Sequence, residues 1–176
     1  MPEPRNTAQE PMIVSSEHLA QAEGWQLSEY EYGLIVAYNA FSRWMMRCMA
    51  AVAGRSDFGP LDVLVLHNVN HRSRPKRLGD ICFVLNIEDQ HTVNYALKKL
   101  DKAGLVKSVR QGKERFYSTT EDGARLCAAY GELRARCLLE PVASLEGDAQ
   151  ELRHAATRLR GLSGVYDQAA RAASSL

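Results

Sequence analysis

Two carboxamide side chains four residues apart, Gln90 and Asn94, are the clearest pieces of chemistry in this chain. Each offers a donor and an acceptor on one planar group, which matches N6 and N7 of adenine in a major groove. On a helix a spacing of four puts both on one face. His91 stands between them, suited to donate to a phosphate or a guanine acceptor, with Thr92 and Tyr95 on the same turns. Lys98 and Lys99 follow one to two turns later, where a helix leaving a groove meets backbone phosphate. Further on, Arg110, Lys113 and Arg115 surround a glycine. They suit a minor groove or flanking phosphates, because a narrow groove concentrates negative potential. Upstream, Arg74, Lys76 and Arg77 form a basic run expected to meet phosphate.

These groups need a scaffold, and the intervening residues describe one. Val93, Leu97 and Leu100 hold one face of the amide-bearing helix to a core, leaving its polar residues outward. Asp89 is its expected N-cap and Gly104 its C′ glycine. Before it, Leu78 to Leu85 reads as a short helix presenting Leu78, Ile81, Cys82 and Leu85, followed by the turn Asn86 to Asp89 with Ile87 buried. After it, Leu105-Val106 begin a strand, Gln111-Gly112-Lys113 form a hairpin tip, and Arg115 to Ser118 return. Thr120 then caps another helix, with Glu121 and Asp122 at its positive end. Helix, turn, helix and basic hairpin in this order describe a winged helix-turn-helix. The expected fold class is mainly α with a small β-hairpin wing plus a helical dimerisation region. Double-stranded DNA is the expected partner. A module binding protein or RNA would use the same order of elements, and these residues leave both readings open.

The net charge of the chain is only +1. Placed along the sequence, though, eleven Lys and Arg stand against five acids in residues 71–115, a local excess of +6, so the remaining 131 residues sum to −5. A basic module in an acidic remainder is the footprint that phosphate binding requires. Cys48, Cys82, Cys127 and Cys137 show no CxxC pair or zinc-finger spacing, and the histidines at 18, 67, 71, 91 and 154 are scattered, so no metal or cofactor is expected. Buried reduced thiols are the default for Cys48 and Cys82. No GxSxG, phosphate-cradling glycine loop or HExxH occurs, and no catalytic role is expected. The most apolar stretch, Gly33 to Gly54, is interrupted by Asn39, Ser42, Arg43 and Arg47. The opening residues lack the basic and apolar parts of a secretory signal, so no membrane association and a cytoplasmic location are expected.

Outside the basic module two helices carry heptad-spaced apolar seams. Residues 1–14 read as a loose arm, and Ser16–Glu23 as a short helix. Ser28 and Glu31 then suggest a capping box at the start of a helix bearing Leu34, Tyr38, Phe41, Met45, Cys48 and Val52 and stopping near Gly54. Gly59-Pro60 opens the next helix, with Leu61, Leu64, Val65 and Val69 on its apolar face. Beyond the wing one helix shows Leu126, Tyr130, Leu133 and Cys137 and breaks at or before Pro141. A last helix carries Leu152, Leu159, Leu162 and Tyr166. The resulting division is an arm at 1–14, dimerisation helices at 15–57, a winged domain at 58–123 and dimerisation helices at 124–176. A homodimer is expected through Leu34, Tyr38, Phe41, Met45, Leu152, Leu159, Leu162 and Tyr166, since a small winged domain cannot cover both seams. An intramolecular helical hairpin is the alternative. Tyr30, Tyr32, Trp44 and Met45 suit either core packing or a pocket for a small aromatic effector.

From His91 to Val106 the sequence HTVNYALKKLDKAGLV resembles the S-T-V-T-R-L-V-D-R-L-E-x-x-G-L-V run of the MarR family of winged-helix regulators, and Thr120-Glu121-Asp122-Gly123 resembles its L-T-x-x-G wing exit. The likeness extends from about Leu61 to Leu126. Two positions depart from the family pattern: the wing tip Arg110 to Arg115 is short, and Gln90-His91 replaces the usual Ser or Thr pair. The resemblance implies a two-fold dimer built from terminal helices, binding a pseudopalindromic promoter site and often released by a small ligand.

Overall fold

The protein is described by a computed structural model over residues 25–140, 142 and 149–176. The expected arm, the Ser16–Glu23 helix and the break at Pro141 lie outside the described residues. The chain divides into two units, residues 1–130 and 131–176.

The first unit opens with α1 (Trp25–Ala53), which starts before the expected capping box, so Ser28 and Glu31 lie inside the helix. It ends at Gly54, whose positive φ of 65° and N–H bond to the Ala50 carbonyl (3.0 Å) close the last turn. Its seam divides along its length. Leu34, Tyr38 and Phe41 are exposed, while Met45 and Cys48 are each 2% exposed within the unit's core. Met45 is thereby removed from the expected dimer contacts: apolar packing inside its own chain has claimed it.

After a loop come α2 (Pro60–Asn70), α3 (Leu78–Leu85) and α4 (Gln90–Lys102), followed by strands β2 (Val106–Gln111) and β3 (Glu114–Thr119). Val65, Leu66, Ile81, Leu97 and Leu100 are fully buried where these helices meet. The hairpin tip is two residues, Gly112 (φ 64°) and Lys113, because Gln111 pairs with Glu114. A further short strand, β1 (Lys76–Arg77), pairs antiparallel with β3 and makes a three-stranded sheet in the order β1-β3-β2. Pro75 keeps this stretch out of a helix, and the open edge of β3 takes up its backbone.

The wing-exit motif has a packing reason. Thr120 Oγ1 donates to the Gly104 carbonyl (2.7 Å) and accepts from the Gly123 N–H (3.1 Å), while the Thr120 N–H donates to the Leu105 carbonyl (3.1 Å). One threonine thus locks the end of α4 to the start of α5 (Glu121–Arg134). Gly123 packs on that carbonyl so closely that a Cβ would lie 2.0 Å from Leu105 O.

In the second unit α5 continues as a π-helical stretch, Ala135–Leu139. A π turn adds a residue to the repeat and rotates the side chains beyond it about the helix axis. Cys137 is exposed, although it shares a sequence stripe with buried Tyr130. The last helix, α6 (Ala149–Ala173), presents Leu152, Leu159 and Val165 to solvent and half-buries Leu162 and Tyr166. None of the described residues from 131 onward is buried.

Candidate nucleic-acid interface

The reading helix α4 is set by its ends. Asp89 caps it, Oδ1 accepting the His91 N–H at 2.9 Å, while Thr92 Oγ1 donates to the Asp89 carbonyl at 2.8 Å. Asn86, in the left-handed region (φ 52°), ends α3, and the Ile87 N–H bonds to Cys82 O at 2.9 Å, fixing the turn between the two helices. Ile87 itself is half-buried. At the far end Gly104 (φ 73°) lets the Leu105 N–H reach back to Leu100 O at 3.0 Å.

Val93, Ala96, Leu97 and Leu100 are each at most 1% exposed and face inward. Opposite them, at helical spacing, run His91, Tyr95, Lys98 and Lys102, all exposed, with Tyr95 at 72%. Gln90 is exposed on one shoulder and Asn94 is half-buried beside it. The outermost line of the helix is therefore an imidazole, a phenol and two ammonium groups. Tyr95 stands at its centre, with the two amides to one side.

Two of the expected phosphate contacts, Lys76 and Lys99, have partners inside the protein, and a third, Arg77, carries exposed ion pairs. Lys76 is 9% exposed, and its ammonium donates to the carbonyls of Val69 (3.1 Å) and His71 (2.6 Å). Burial, with Arg74 nearby, pulls its pKa below the usual lysine range. Pairing of β1 with β3 turns this side chain inward to the end of α2, so Lys76, expected to meet phosphate, is instead buried within the chain. Lys99 is paired with Asp62 at 2.6 Å and also donates to the Asp57 carbonyl. Arg77 bridges Asp80 and Glu114, each at 3.1 Å, and holds the Asp80 carboxyl below its ordinary value. Arg74, by contrast, remains exposed.

The wing adds a feature that residue spacing did not reveal. Arg110 and Arg115 are directly opposite each other across the hairpin and share one face, both exposed. Like charges facing each other across strands are unfavourable without an anion to share. Arg110 Nε donates to Gly112 O (3.2 Å) and Arg115 donates to Ser108 Oγ (3.1 Å), which orders both stems. Lys113 is exposed at the tip.

Comparison with known proteins agrees with this arrangement. A family profile described as a winged helix DNA-binding domain matches residues 58–123. Solved structures share the architecture over most of the chain. NMB1585, a MarR family regulator from Neisseria meningitidis, aligns at a TM-score of 0.61 and 22% identity, covering 81% of this chain and 94% of its own. The chain is a winged helix protein with the MarR-like fold. Staphylococcus aureus MarR, solved with salicylate and kanamycin, aligns with this MarR-like chain at 0.62 and 14% identity over 82% of it and 95% of its own length. Reduced AbfR bound to DNA aligns at 0.58 and 21% over 78% and 96%. No curated protein sequence matches. Among the described residues no helix of this MarR-like chain is long and apolar enough to cross a membrane, and no group of histidine, cysteine and acidic side chains could hold a metal ion.

Proposed function

We propose that this protein is a sequence-specific, DNA-binding transcriptional regulator that acts as a homodimer on a pseudopalindromic operator. The observation that carries the proposal is the exposed line His91, Tyr95, Lys98 and Lys102 on a capped helix, with Gln90 and Asn94 on its shoulder and the paired arginines of the wing on the same module. Such a helix fits a major groove, where amides read adenine edges and lysines meet phosphate, while Arg110, Lys113 and Arg115 track the adjoining backbone. DNA in the AbfR complex supports the same partner here.

The dimer reading rests on uncovered apolar surface. Leu34, Tyr38 and Phe41 on α1, and Leu152 and Leu159 on α6, are each at least 39% exposed in the single chain. A two-fold partner would cover such seams and set two reading helices about one DNA turn apart. A dimer seated on a promoter excludes polymerase, so repression is the simplest output. The salicylate held by the S. aureus relative supports a small aromatic acid as the releasing ligand.

Selection from a random duplex pool, followed by binding titrations on the selected site and on random DNA, tests the proposal. Asn94→Ala is expected to lose about 1–3 kcal/mol on the selected site and little on random DNA. Failure to enrich any duplex, or tighter binding to structured RNA, would overturn it in favour of an RNA- or protein-binding module.

A further inference from the structure

Lys99 belongs to the reading helix yet faces the protein. Its ammonium lies 2.6 Å from Asp62 Oδ2, donates to the Asp57 carbonyl, and stands 5.6 Å from the centre of the Phe58 ring. These partners are firm. Phe58 is 3% exposed, and the Asp62 side chain is 8% exposed, with Oδ2 also accepting the Gly59 N–H at 2.8 Å where α2 begins. Arg55 pairs with Asp57 and covers the same Phe58 ring at 4.8 Å, so the loop after α1 is ordered around this one aromatic side chain.

A reading helix needs more than depth. Val93, Ala96, Leu97 and Leu100 bury one face, and apolar burial itself carries no directional bond. Amides reading base edges demand orientation within roughly 10–20°. A charge-assisted hydrogen bond to a nearly buried carboxylate supplies direction. Lys99 is one turn beyond Tyr95, and Asp62 lines, with Leu61, Thr92 and Tyr95, the apolar cleft of about 430 Å³ between α2 and α4. The pair thus sits at the edge of the cleft that Tyr95 also lines.

We propose that Lys99 is a positioning residue: through Asp62 and the Asp57 carbonyl it fixes the rotation of the reading helix, and so the aim of Gln90, Asn94 and Tyr95, without touching DNA. The inference rests on the DNA-reading role and deepens it. It separates two adjacent lysines, Lys98 for phosphate and Lys99 for geometry.

The full chain, bound to the selected duplex and to random duplex over a range of salt, tests this by fluorescence anisotropy. Lys99→Met keeps the aliphatic stem and removes the charge. It is expected to lose about tenfold on the selected site and less than about twofold on random DNA, with the salt slope unchanged. Asp62→Asn keeps an acceptor for Gly59 and is expected to show the same pattern, and the double variant to lose no more than either single one. Lys98→Met is expected to weaken both duplexes alike and to flatten the slope by about one. Equal losses and a flattened slope for Lys99→Met would make Lys99 a phosphate contact and overturn the proposal. If Lys99→Met does not fold, Asp62→Asn decides alone, and selected-site binding equal to wild type overturns it. A wild type with no preference between the duplexes refutes DNA reading itself, a result distinct from a changed slope.

Discussion

The same substitution at two glycines of α5 is expected to move stability in opposite directions. At Gly123 an added Cβ would meet Leu105 O at 2.0 Å, the carbonyl carbon at 3.0 Å and Cα at 3.3 Å. All three are backbone atoms, so no side chain can swing away. Carbon and oxygen rest at roughly 3.3 Å, so the start of α5 must separate from the α4–β2 junction by more than about 1 Å. Overpacking of this kind costs about 1–3 kcal/mol. The displacement also stretches the Thr120 N–H bond to Leu105 O, worth about 1 kcal/mol. Alanine's better helix propensity returns up to about 1 kcal/mol. Gly123→Ala is therefore expected to lose about 1–3 kcal/mol, a fall in Tm of about 2–12 °C for a chain of this size. At Gly131 nothing lies within 4 Å of an added Cβ, and the position is exposed. Gly131→Ala is expected to gain up to about 1 kcal/mol, through propensity alone. Urea melts of both variants at one protein concentration, followed by far-ultraviolet circular dichroism, measure the contrast in midpoint at constant slope. Two shifts of the same sign, or a Gly123→Ala variant as stable as the wild type, would refute the close approach as the reason for glycine at the wing exit.

Light scattering at low micromolar concentration is expected to give twice the 19.6 kDa chain mass, and Leu159→Asp to yield monomer or insoluble protein and to abolish high-affinity DNA binding; a stable wild-type monomer would refute the dimer. Burial pushes the Cys127 thiol up to about 11, whereas Cys137 is exposed. At pH 8 Cys127 is expected to stay protonated and unlabelled by iodoacetamide in the native protein and to react in urea, as mass mapping reads; rapid native labelling of Cys127 would contradict its burial.

The reading head was legible in sequence because its signals are local. The Asp89 cap, the Gly104 stop, the Thr120 cap and the inward stripe Val93, Leu97, Leu100 each depend on residues within about one helical turn. Heptad spacing found the outer helices for the same reason. It did not find where α1 enters the core, since Phe41 and Met45 look alike in sequence and only the second is buried.

The assignment of the basic residues belongs to the tertiary structure. Lys76 sits in an Arg-Ser-Arg-Pro-Lys-Arg run that reads as a solvated cation cluster, and it is buried because β1 pairs with β3 about forty residues on. Lys99 and Asp62 are 37 residues apart, as are Arg77 and Glu114. No periodicity links such pairs. The opposed arginines of the wing depend on hairpin register, and the need for glycine at 123 on a carbonyl eighteen residues earlier. Sequence alone thus determined which elements form and that a basic module exists, because caps, turns and apolar repeats act over a few residues. Which cations are paired or buried within the chain was decided only by packing, because an ammonium group goes to whichever carboxylates and carbonyls the fold brings within about 3 Å.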